Sequence, residues 1–448
     1  MAEFTKAASS GTAGLDGLGL RFVTPAATIK RNKYFPRHFR MLSDHFHPLD
    51  WRESGEIADG GNWVAVVRSP GYRALGRSTA EQSGVDCCFD LLDDTELRLL
   101  KQAGGNLLVD LGWEMLNPTS EVVISLSETL RALEIEPARV FLFHSNQNAR
   151  TEFNAQWLRH VGTQPPYSLE YPVAMALCVA YQQDRRDDRS IAERRANAHA
   201  ATSHGRRCRF LVSFNGEVRP HRLYMAAVLE QFGLLDRCDF SLVYPRKSAK
   251  ETEEQFRERS LRILSKLPRG GEFAASASNI LARLPLELDI GAMPPGGVED
   301  LAWESQDPAY YHGAHFTLVV DTSVSGSETL FVTEKVLKPI MNHSPFLLVG
   351  SAGGADLLRS YGFQTFEPHF RQCGGDTLEA VLNGAVEEVH RLAGLAPAQL
   401  SRLDRDLQAA CDHNALHFWN AFPAILRSKF EQTVMTLGTS GSSVSNPG

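Results

Sequence analysis

Residues 331–350 read FVTEKVLKPIMNHSPFLLVG, and this stretch decides the fold. Thr333 suits the N-cap of a short helix, and the apolar run 346–349 that follows predicts a buried strand. The apolar run 315–321 predicts an earlier strand, with a polar loop over 323–327 after it. Strands and helices that alternate in this way are typical of a parallel sheet with helices on its faces.

The same alternation extends outward along the chain, in two α/β halves followed by a helical end. The predicted strands cover residues 63–67, 107–111, 139–144, 210–214, 240–244, 315–321, 346–349 and 364–366. The predicted helices cover residues 90–97, 125–133, 222–232, a short piece from 333, 355–361 and 415–437. We therefore predict the fold class α/β, with two parallel sheets and C-terminal helices.

Shifts in composition predict where the domains begin and end. The predicted segments are a disordered N-terminus over 1–20, an α/β domain over 21–183, a charged linker or exposed helix over 184–206, a second α/β domain over 207–376, helices over 377–437 and a disordered tail over 438–448. The segment 184–206 is rich in Arg and Asp and poor in large apolar residues, so a solvated charge run is the preferred interpretation of its charges.

The composition also narrows the class of protein. The formal net charge of −7 over 448 residues is spread along the chain, whereas a nucleic-acid-binding surface is basic and clustered, so we expect no nucleic-acid partner. No apolar run has the length of a membrane helix, and residues 1–20 lack the apolar core of a secretory signal. The 7 cysteines are scattered without a CxxC pair, as in reduced thiols. We expect a cytoplasmic protein, and leave open peripheral association with a membrane through partners.

The first candidate site is the helix that starts at Thr333. Glu334 and Lys338 are spaced to share a helix face, and Lys335 lies close to Lys338. The site follows a predicted strand, and ligands of open parallel sheets bind beyond the carboxyl ends of strands. Glu334 suits the hydroxyl groups of a ribose, and the two lysines suit phosphate groups. The alternative is an ordinary Glu–Lys pair on a solvated helix.

The second candidate site is the basic segment 215–222, which follows a predicted strand and opens a helix. Asn215, Arg219 and Arg222 are its candidate ligand-binding residues. Positive charge in the first turn of a helix is unfavourable against the helix dipole, and a bound diphosphate would offset this cost. The arginine fork also donates two parallel hydrogen bonds to a phosphate group. The alternative is a basic surface turn.

Polar residues in the first half are candidates for a catalytic base. Asp110, Glu114 and His144 follow the ends of apolar strands, and a hydroxyl acceptor requires a base to take its proton. Each is equally interpretable as a buried, satisfied polar group or as a helix cap. The glycine-bearing loop 350–354 likewise suits either a phosphate-binding turn or a simple strand–helix turn.

Several catalytic motifs are missing from the chain. It has no GxSxG nucleophile elbow, no HExxH zinc motif, no P-loop and no protein-kinase motif set. We therefore expect basic side chains to hold the phosphates, with no metal ion and no cofactor beyond a nucleotide sugar that serves as substrate.

The segment Phe331-Val332-Thr333-Glu334-Lys335 resembles the donor-site motif of the α-1,3-fucosyltransferases, in which an aromatic and a small apolar residue precede Thr-Glu-Lys. Residues 207–370 as a whole resemble related bacterial and phage glycosyltransferases. The resemblance implies a GT-B architecture, in which two Rossmann-like domains face a cleft and the C-terminal domain holds the nucleotide sugar. This chain departs from the fucosyltransferases at Lys338-Pro339, which leaves the sugar open: a GDP-fucose-like donor, another deoxyhexose, a pentose or an acidic sugar.

The resemblance also implies roles for single residues. Glu334 would bind the ribose or sugar of the donor, Lys335 the donor phosphates and Arg222 the diphosphate. The N-terminal domain would supply a carboxylate base, for which Glu114 is the first candidate and Asp110 the second. The implied reaction is a metal-independent transfer of a sugar, with inversion, to a hydroxyl of a bacterial glycan. The alternative function is a non-catalytic nucleotide- or glycan-binding protein in polysaccharide assembly.

Overall fold

The structure is a computed structural model of the whole chain. It describes residues 18, 20–24, 37–53, 62–69, 72–84, 86–92, 94–101, 105–112, 118–244, 252–286, 288, 307–327, 329–367, 369–371 and 375–439. The chain divides into two compact units: unit 1 comprises residues 1–180 and 423–448, and unit 2 comprises residues 181–422.

The strands and helices are numbered in chain order. The strands are β1 (Leu20–Thr24), β2 (Asp50–Glu53), β3 (Asn62–Arg68), β4 (Asn106–Asp110), β5 (Val140–His144), β6 (Tyr167–Glu170), β7 (Arg209–Glu217), β8 (Asp239–Val243), β9 (Ala314–Ser325) and β10 (Phe346–Ser351). The α-helices are α1 (Arg37–Phe46), α2 (Arg77–Ser83), α3 (Asp94–Lys101), α4 (Ser120–Ala132), α5 (Ala149–His160), α6 (Val173–Asp184), α7 (Asp188–Ser203), α8 (Pro220–Gln231), α9 (Glu253–Leu264), α10 (Ala274–Arg283), α11 (Pro308–Gly313), α12 (Leu337–Met341), α13 (Gly354–Ser360), α14 (Leu378–Ala393), α15 (Pro397–Asn420) and α16 (Phe422–Thr439).

Each unit is a Rossmann-like α/β fold, as the alternation of strands and helices predicts. The described strands of unit 1 form a sheet in the order β2-β1-β3-β4-β5-β6, and those of unit 2 form a sheet in the order β10-β9-β7-β8. All the strand pairs in both sheets are parallel. Every residue of β4, β5 and β10 is buried, which explains why these strands are apolar on both faces.

The core of unit 1 lies between its sheet and the helices α4 and α5. Leu107 and Val109 of β4 pack there with Leu126 of α4 and Trp157 of α5. Thr119 caps α4 by accepting a hydrogen bond from the amide of Val122 (3.4 Å). The apolar period of α4 therefore faces the sheet and holds the carboxyl end of β4 in place.

Two predictions about unit 2 are wrong at the level of single elements. Residues 323–325, predicted to be loop, continue β9, because the parallel pair with β10 extends to Ser351 opposite Ser325. Residues 364–366, predicted to be a strand, are irregular; there the amide of Gln364 donates to Asn414 Oδ1 (2.7 Å) and not to a strand. Alternating apolar residues alone did not reveal this side-chain partner.

The charged segment 184–206 forms the helix α7, one of the two forms that the sequence allows for it, and α7 belongs to unit 2. Asp187 caps the helix by accepting a hydrogen bond from the amide of Arg189 (3.1 Å). Farther along, Arg195 and His199 both contact the carboxylate of Asp412 on α15. These contacts, and not an apolar stripe, fix α7 on this face of unit 2.

The single helix predicted over 415–437 is two helices. Pro423 has no N–H group to donate to the carbonyl of Trp419, so the helical ladder ends and α16 begins. The freed carbonyl accepts hydrogen bonds from Gln183 Nε2 (3.0 Å) and Arg186 Nη1 (3.0 Å). Pro423 therefore causes the break between α15 and α16, and the donors from Gln183 and Arg186 stabilise it.

The predicted disordered ends, 1–20 and 438–448, lie almost wholly outside the described residues. Within the described part of the chain, no helix combines the length and apolar character that crossing a membrane requires.

Candidate functional site

The strand order of unit 2 creates a crevice between β7 and β9. From β7 the chain passes through α8 to β8 on one side, and from β9 it passes through α12 to β10 on the other side. The strand order therefore reverses between β7 and β9. In open parallel sheets this reversal point is where ligands bind.

The loop after β7 brings basic side chains to this crevice. Arg219 is the N-cap residue of α8 and donates from Nη1 to the carbonyl of Thr322 (2.9 Å). His221 Nε2 lies 3.0 Å from the carbonyl oxygen of Asp321. Arg222 is buried in the first turn and donates to the carbonyl of Glu217 (3.0 Å). The contacts of Arg219 and His221 therefore join the start of α8 to β9.

The segment after β9 adds a carboxylate and an ammonium group. Glu334 and Lys335 lie in a short 3-10 helix, with Thr333 as its N-cap. Lys335 Nζ is 3.1 Å from Glu334 Oε1 and donates to Thr322 Oγ1 (2.9 Å). Burial raises the pKa of Glu334, but the charges of Lys335 and Lys338 outweigh this effect and the pKa is lowered. Glu334 is therefore ionised at neutral pH.

The charge of Arg222 is poorly compensated. Burial and the nearby charge of Arg219 lower its pKa to about 10, against the attraction of Asp321, Glu334 and Glu217. Arg222 remains protonated at neutral pH, yet its Nε atom is buried without a hydrogen-bonding partner among the described residues. A buried cation of this kind is satisfied by an anionic ligand.

Asn215, near the end of β7, also presents a polar atom that has no partner in the described part of unit 2. Its Nδ2 donates to Ser213 Oγ (3.0 Å), and that hydroxyl donates to the carbonyl of Leu318 on β9 (2.8 Å). Asn215 Oδ1 is buried and accepts no hydrogen bond. A ligand hydroxyl or N–H group would satisfy it.

The segment that begins at Thr333 differs from the predicted α-helix. The segment is a 3-10 turn over Glu334–Val336 followed by α12, so Glu334 and Lys338 are not on one continuous α-helical face. Pro339 explains the break: it has no N–H for the carbonyl of Lys335, and it lies instead in the first turn of α12. Glu334 contacts the adjacent Lys335 directly, and Lys338 acts on it through its charge.

Sequence patterns did not single out Asp321, Thr322 or His221 as site residues, although His221 lies within the basic segment 215–222. Asp321 is fully buried within β9, and its backbone and side chain contact both sides of the crevice. A carboxylate that ends a buried apolar run was the available signal, because burying it requires several donors. Nothing in the spacing indicated that these donors would come from residue 333.

The candidate bases of unit 1 have different outcomes. Glu114 lies outside the described residues. Asp110 is fully buried and accepts hydrogen bonds from the amides of Phe39 (3.1 Å) and Gly112 (2.7 Å). Its first donor lies in the first turn of α1, which is the geometry of a helix cap. His144 is buried against Ser168 Oγ (2.7 Å), and burial lowers its pKa to about 3.

The buried carboxyl group of Asp110 predicts a measurable pH dependence. Burial raises its pKa to about 6, despite its amide donors and the charge of Arg68. Between the unfolded pKa of about 3.9 and this value, the native state holds a proton that the unfolded state has lost. This group therefore lowers the free energy of unfolding as pH rises, by about 2 kcal/mol between pH 4.5 and 7.5.

Asp110→Asn should remove that contribution. Because buried histidines change stability in the opposite direction, the informative quantity is the stability difference between variant and wild type at each pH. Hydrogen exchange of the β4 amides at pH 4.5 and 7.5 measures it within unit 1. We expect the free energy of unfolding of the wild type, minus that of the variant, to be greater at pH 4.5 than at pH 7.5 by about 2 kcal/mol. An equal difference at both pH values would contradict the raised pKa.

Two other sequence features do not contribute to the crevice. Gly350 and Ser351 belong to β10, and the Ser351 hydroxyl bonds Ser325 Oγ (3.0 Å), so the segment is a strand–helix turn. An Asp-x-Asp triplet over 404–406, which the motif search did not predict, lies within α15, where Asp404 contacts His315 Nδ1 (2.8 Å). In the described residues, no group of three or more His, Cys, Asp or Glu side chains is arranged to hold a metal ion.

Comparisons with known proteins do not place the chain in a family. No protein-family model matches the sequence, and no curated protein matches it significantly. The class of protein rests on the Rossmann-like fold and the residues at the crevice.

Proposed function

We propose that the chain is a metal-independent glycosyltransferase of the GT-B type, which transfers a sugar from a nucleotide sugar to a hydroxyl group of a bacterial glycan. One observation carries the proposal: three cations, Arg219, Arg222 and Lys335, converge where the strand order of unit 2 reverses. Lys335 contacts the carboxylate of Glu334, and the buried Arg222 has an Nε atom without a partner among the described residues. Such a crevice suits a ligand that combines phosphates with neighbouring hydroxyl groups.

The proposed chemistry follows from these charges. When the bond between the sugar and the diphosphate breaks, negative charge develops on the departing phosphate oxygen. Arg222 and Lys335 would stabilise this charge without metal, because both are held near the crevice before the donor binds. Glu334 would accept hydrogen bonds from the ribose or sugar hydroxyls, which requires the ionised form that its lowered pKa provides.

The acceptor hydroxyl must lose a proton during the transfer. In the proposed inverting reaction a carboxylate of unit 1 takes it, with Glu114 as the first candidate and Asp110 as the second. Direct attack by the acceptor oxygen on the anomeric carbon then displaces the nucleoside diphosphate and inverts the configuration. The base would act only if it lies within hydrogen-bonding distance of the bound acceptor.

A second function, a nucleotide- or glycan-binding protein without turnover, is favoured by the geometry of Asp110. Both of its oxygens accept hydrogen bonds from backbone amides, so its carboxylate serves the fold of unit 1. If Glu114 is not the base either, the crevice of unit 2 would bind its ligand without transferring the sugar.

One experiment tests both functions. Thermal unfolding of the protein with GDP-, UDP-, dTDP- and CMP-linked sugars should show stabilisation by one donor class, since a ligand that binds only the folded state raises the unfolding temperature. An enzyme should also slowly hydrolyse that donor to free nucleotide and sugar. Stabilisation without hydrolysis or transfer supports the binding protein. No stabilisation by any of these donors contradicts the transfer of a sugar from these nucleotide donors and the binding of their nucleotides in this crevice.

A further inference from the structure

We propose that Asp321 is a positioning residue for the donor site: it holds the recognition turn, residues 333–335, in the geometry that binds the nucleotide. The inference rests on the proposed function, since the turn carries Glu334 and Lys335. Asp321 itself is fully buried beneath the crevice and is not expected to touch the ligand.

The carboxylate of Asp321 connects β9 to the recognition turn. Its Oδ2 accepts a hydrogen bond from the amide of Thr333 (3.0 Å), and its Oδ1 accepts from the amide of Thr322 (2.6 Å). The hydroxyl of Thr333 also donates to Oδ1. Three donors, two of them from the first residue of the turn, therefore fix where Glu334 and Lys335 begin.

The backbone around Asp321 fixes the opposite side of the crevice. Its carbonyl oxygen lies 3.0 Å from His221 Nε2, and the next carbonyl, that of Thr322, accepts from Arg219 Nη1 (2.9 Å). The hydroxyl of Thr322 accepts from Lys335 Nζ (2.9 Å). The dipeptide 321–322 is thus bonded to residues from both loops that line the crevice.

A neighbouring contact shows that neutral groups are enough to attach the loop before the recognition turn to the sheet. Four residues farther along β9, the hydroxyl of Ser325 bonds Ser351 Oγ (3.0 Å), which in turn accepts from the amide of Phe331 (3.3 Å). Neutral hydroxyls hold the loop there. At Asp321 the chain instead buries a carboxyl group close to Arg222 and Lys335. Burial raises its pKa, and the charge of Lys335 and the donors from Thr333 and Thr322 oppose this rise. The carboxylate therefore both orients the turn and partly balances the cations that await an anionic ligand.

The test removes one donor to Asp321 and keeps the shape of the turn. Thr333→Val lacks the hydroxyl, and Thr333→Ser retains it. Thr317→Val is the matched control, because Thr317 is also buried on β9 and its hydroxyl bonds Ser344 Oγ (3.1 Å), toward the amino end of the strand. Thr322→Val, at a half-buried position, removes the acceptor of Lys335 but keeps the backbone amide that donates to Asp321. It therefore measures the contribution of Lys335 alone. Asp321→Asn serves if Thr333→Val does not fold.

The measured quantities are the dissociation constant and the unfolding temperature, with whichever of GDP, UDP, dTDP or CMP stabilises the wild type. We expect Thr333→Val to weaken binding about tenfold and Thr333→Ser to bind within about twofold of wild type, because a hydrogen bond to a charged group is lost only in the first. Thr322→Val should also bind more weakly. Thr317→Val should lower the unfolding temperature and leave the dissociation constant unchanged.

The outcomes separate this inference from the proposed function. If the wild type binds a nucleotide and Thr333→Val, or Asp321→Asn in its place, binds it equally well, Asp321 does not position the site. If all the threonine variants, including Thr317→Val, weaken binding in proportion to their loss of stability, the role is merely structural and the inference fails. If the wild type binds none of the four nucleotides, the proposed function fails first and the inference fails with it.

Discussion

Replacing Glu334 by alanine is expected to weaken the binding of the nucleotide sugar by on the order of 100-fold or more. Glu334 is ionised and only 8% exposed, and in the proposed complex it accepts charge-assisted hydrogen bonds from two hydroxyl groups. Each such bond contributes about 1.5–3 kcal/mol, and a loss of about 1.4 kcal/mol corresponds to a tenfold change in affinity. The removal also leaves Lys335 without its carboxylate partner.

Isothermal titration with the donor that stabilises the wild type measures this loss. Glu388→Ala is the matched control, because Glu388 is another buried glutamate of unit 2 and pairs with Arg391 (2.6 Å) away from the crevice. This control should lower stability and keep the affinity. Glu334→Ala should instead retain or increase its affinity for inorganic phosphate, since the site becomes more positive. Unchanged donor affinity in Glu334→Ala would count decisively against the site.

The second large effect is expected at Arg222. Arg222→Met should abolish detectable binding of the nucleoside diphosphate while leaving the unliganded protein at least as stable as wild type. The physical reason is that Arg222 buries a charge with one hydrogen bond, to the carbonyl of Glu217, and its surroundings lower its pKa to about 10. Methionine fills a similar volume without the cost of burying a charge. Residues that serve function often lower stability in this way.

Arg207 is the control for this prediction, because it is another buried arginine of unit 2 with an unpartnered Nε among the described residues, but its other nitrogens make more hydrogen bonds. It donates to the carbonyls of Ala314 (2.9 Å) and His315 (3.1 Å), and it lies 3.7 Å from Asp404. Arg207→Met should destabilise the protein by about 3 kcal/mol or more, as breaking a buried charge pair does. Denaturant unfolding and nucleotide titration of both variants test the contrast. A large loss of stability in Arg222→Met would show that the arginine serves the fold and not a ligand.

Much of the site could be predicted because parallel α/β sheets follow a simple rule. Polar residues directly after buried strands lie at the ligand edge, and Asn215, Arg219, Arg222, Glu334 and Lys335 were found in this way. The structure places all of them around β7 and β9 of one sheet. Whether they bind a nucleotide sugar stays a prediction, as does the base in unit 1.

The errors arose where one residue changes the backbone pattern or supplies a distant partner. Spacing placed Glu334 and Lys338 on one face of a short helix that Pro339 would bend or shorten, but the segment is a 3-10 turn followed by α12, so this shared face does not form. Pro423 divides the C-terminal helix in the same way, and the carbonyl it frees is satisfied by Gln183 and Arg186, more than 200 residues earlier. Local propensity contains no information about such partners.

The sequence by itself determined the parallel α/β class, the strands β3, β4, β5 and β7 to β10, and the polar residues at the strand ends, because these depend on local apolar patterns and on spacing along the chain. The strands β1, β2 and β6 were not predicted. Only the tertiary structure decided that β7 and β9 are neighbours, although β8 separates them in sequence. That adjacency brings Asp321 and Thr322 between the loops that carry Arg219 and Lys335. The order of strands in a sheet is set by how helices and strands pack on one another, and the chain encodes that packing through contacts between residues about a hundred positions apart.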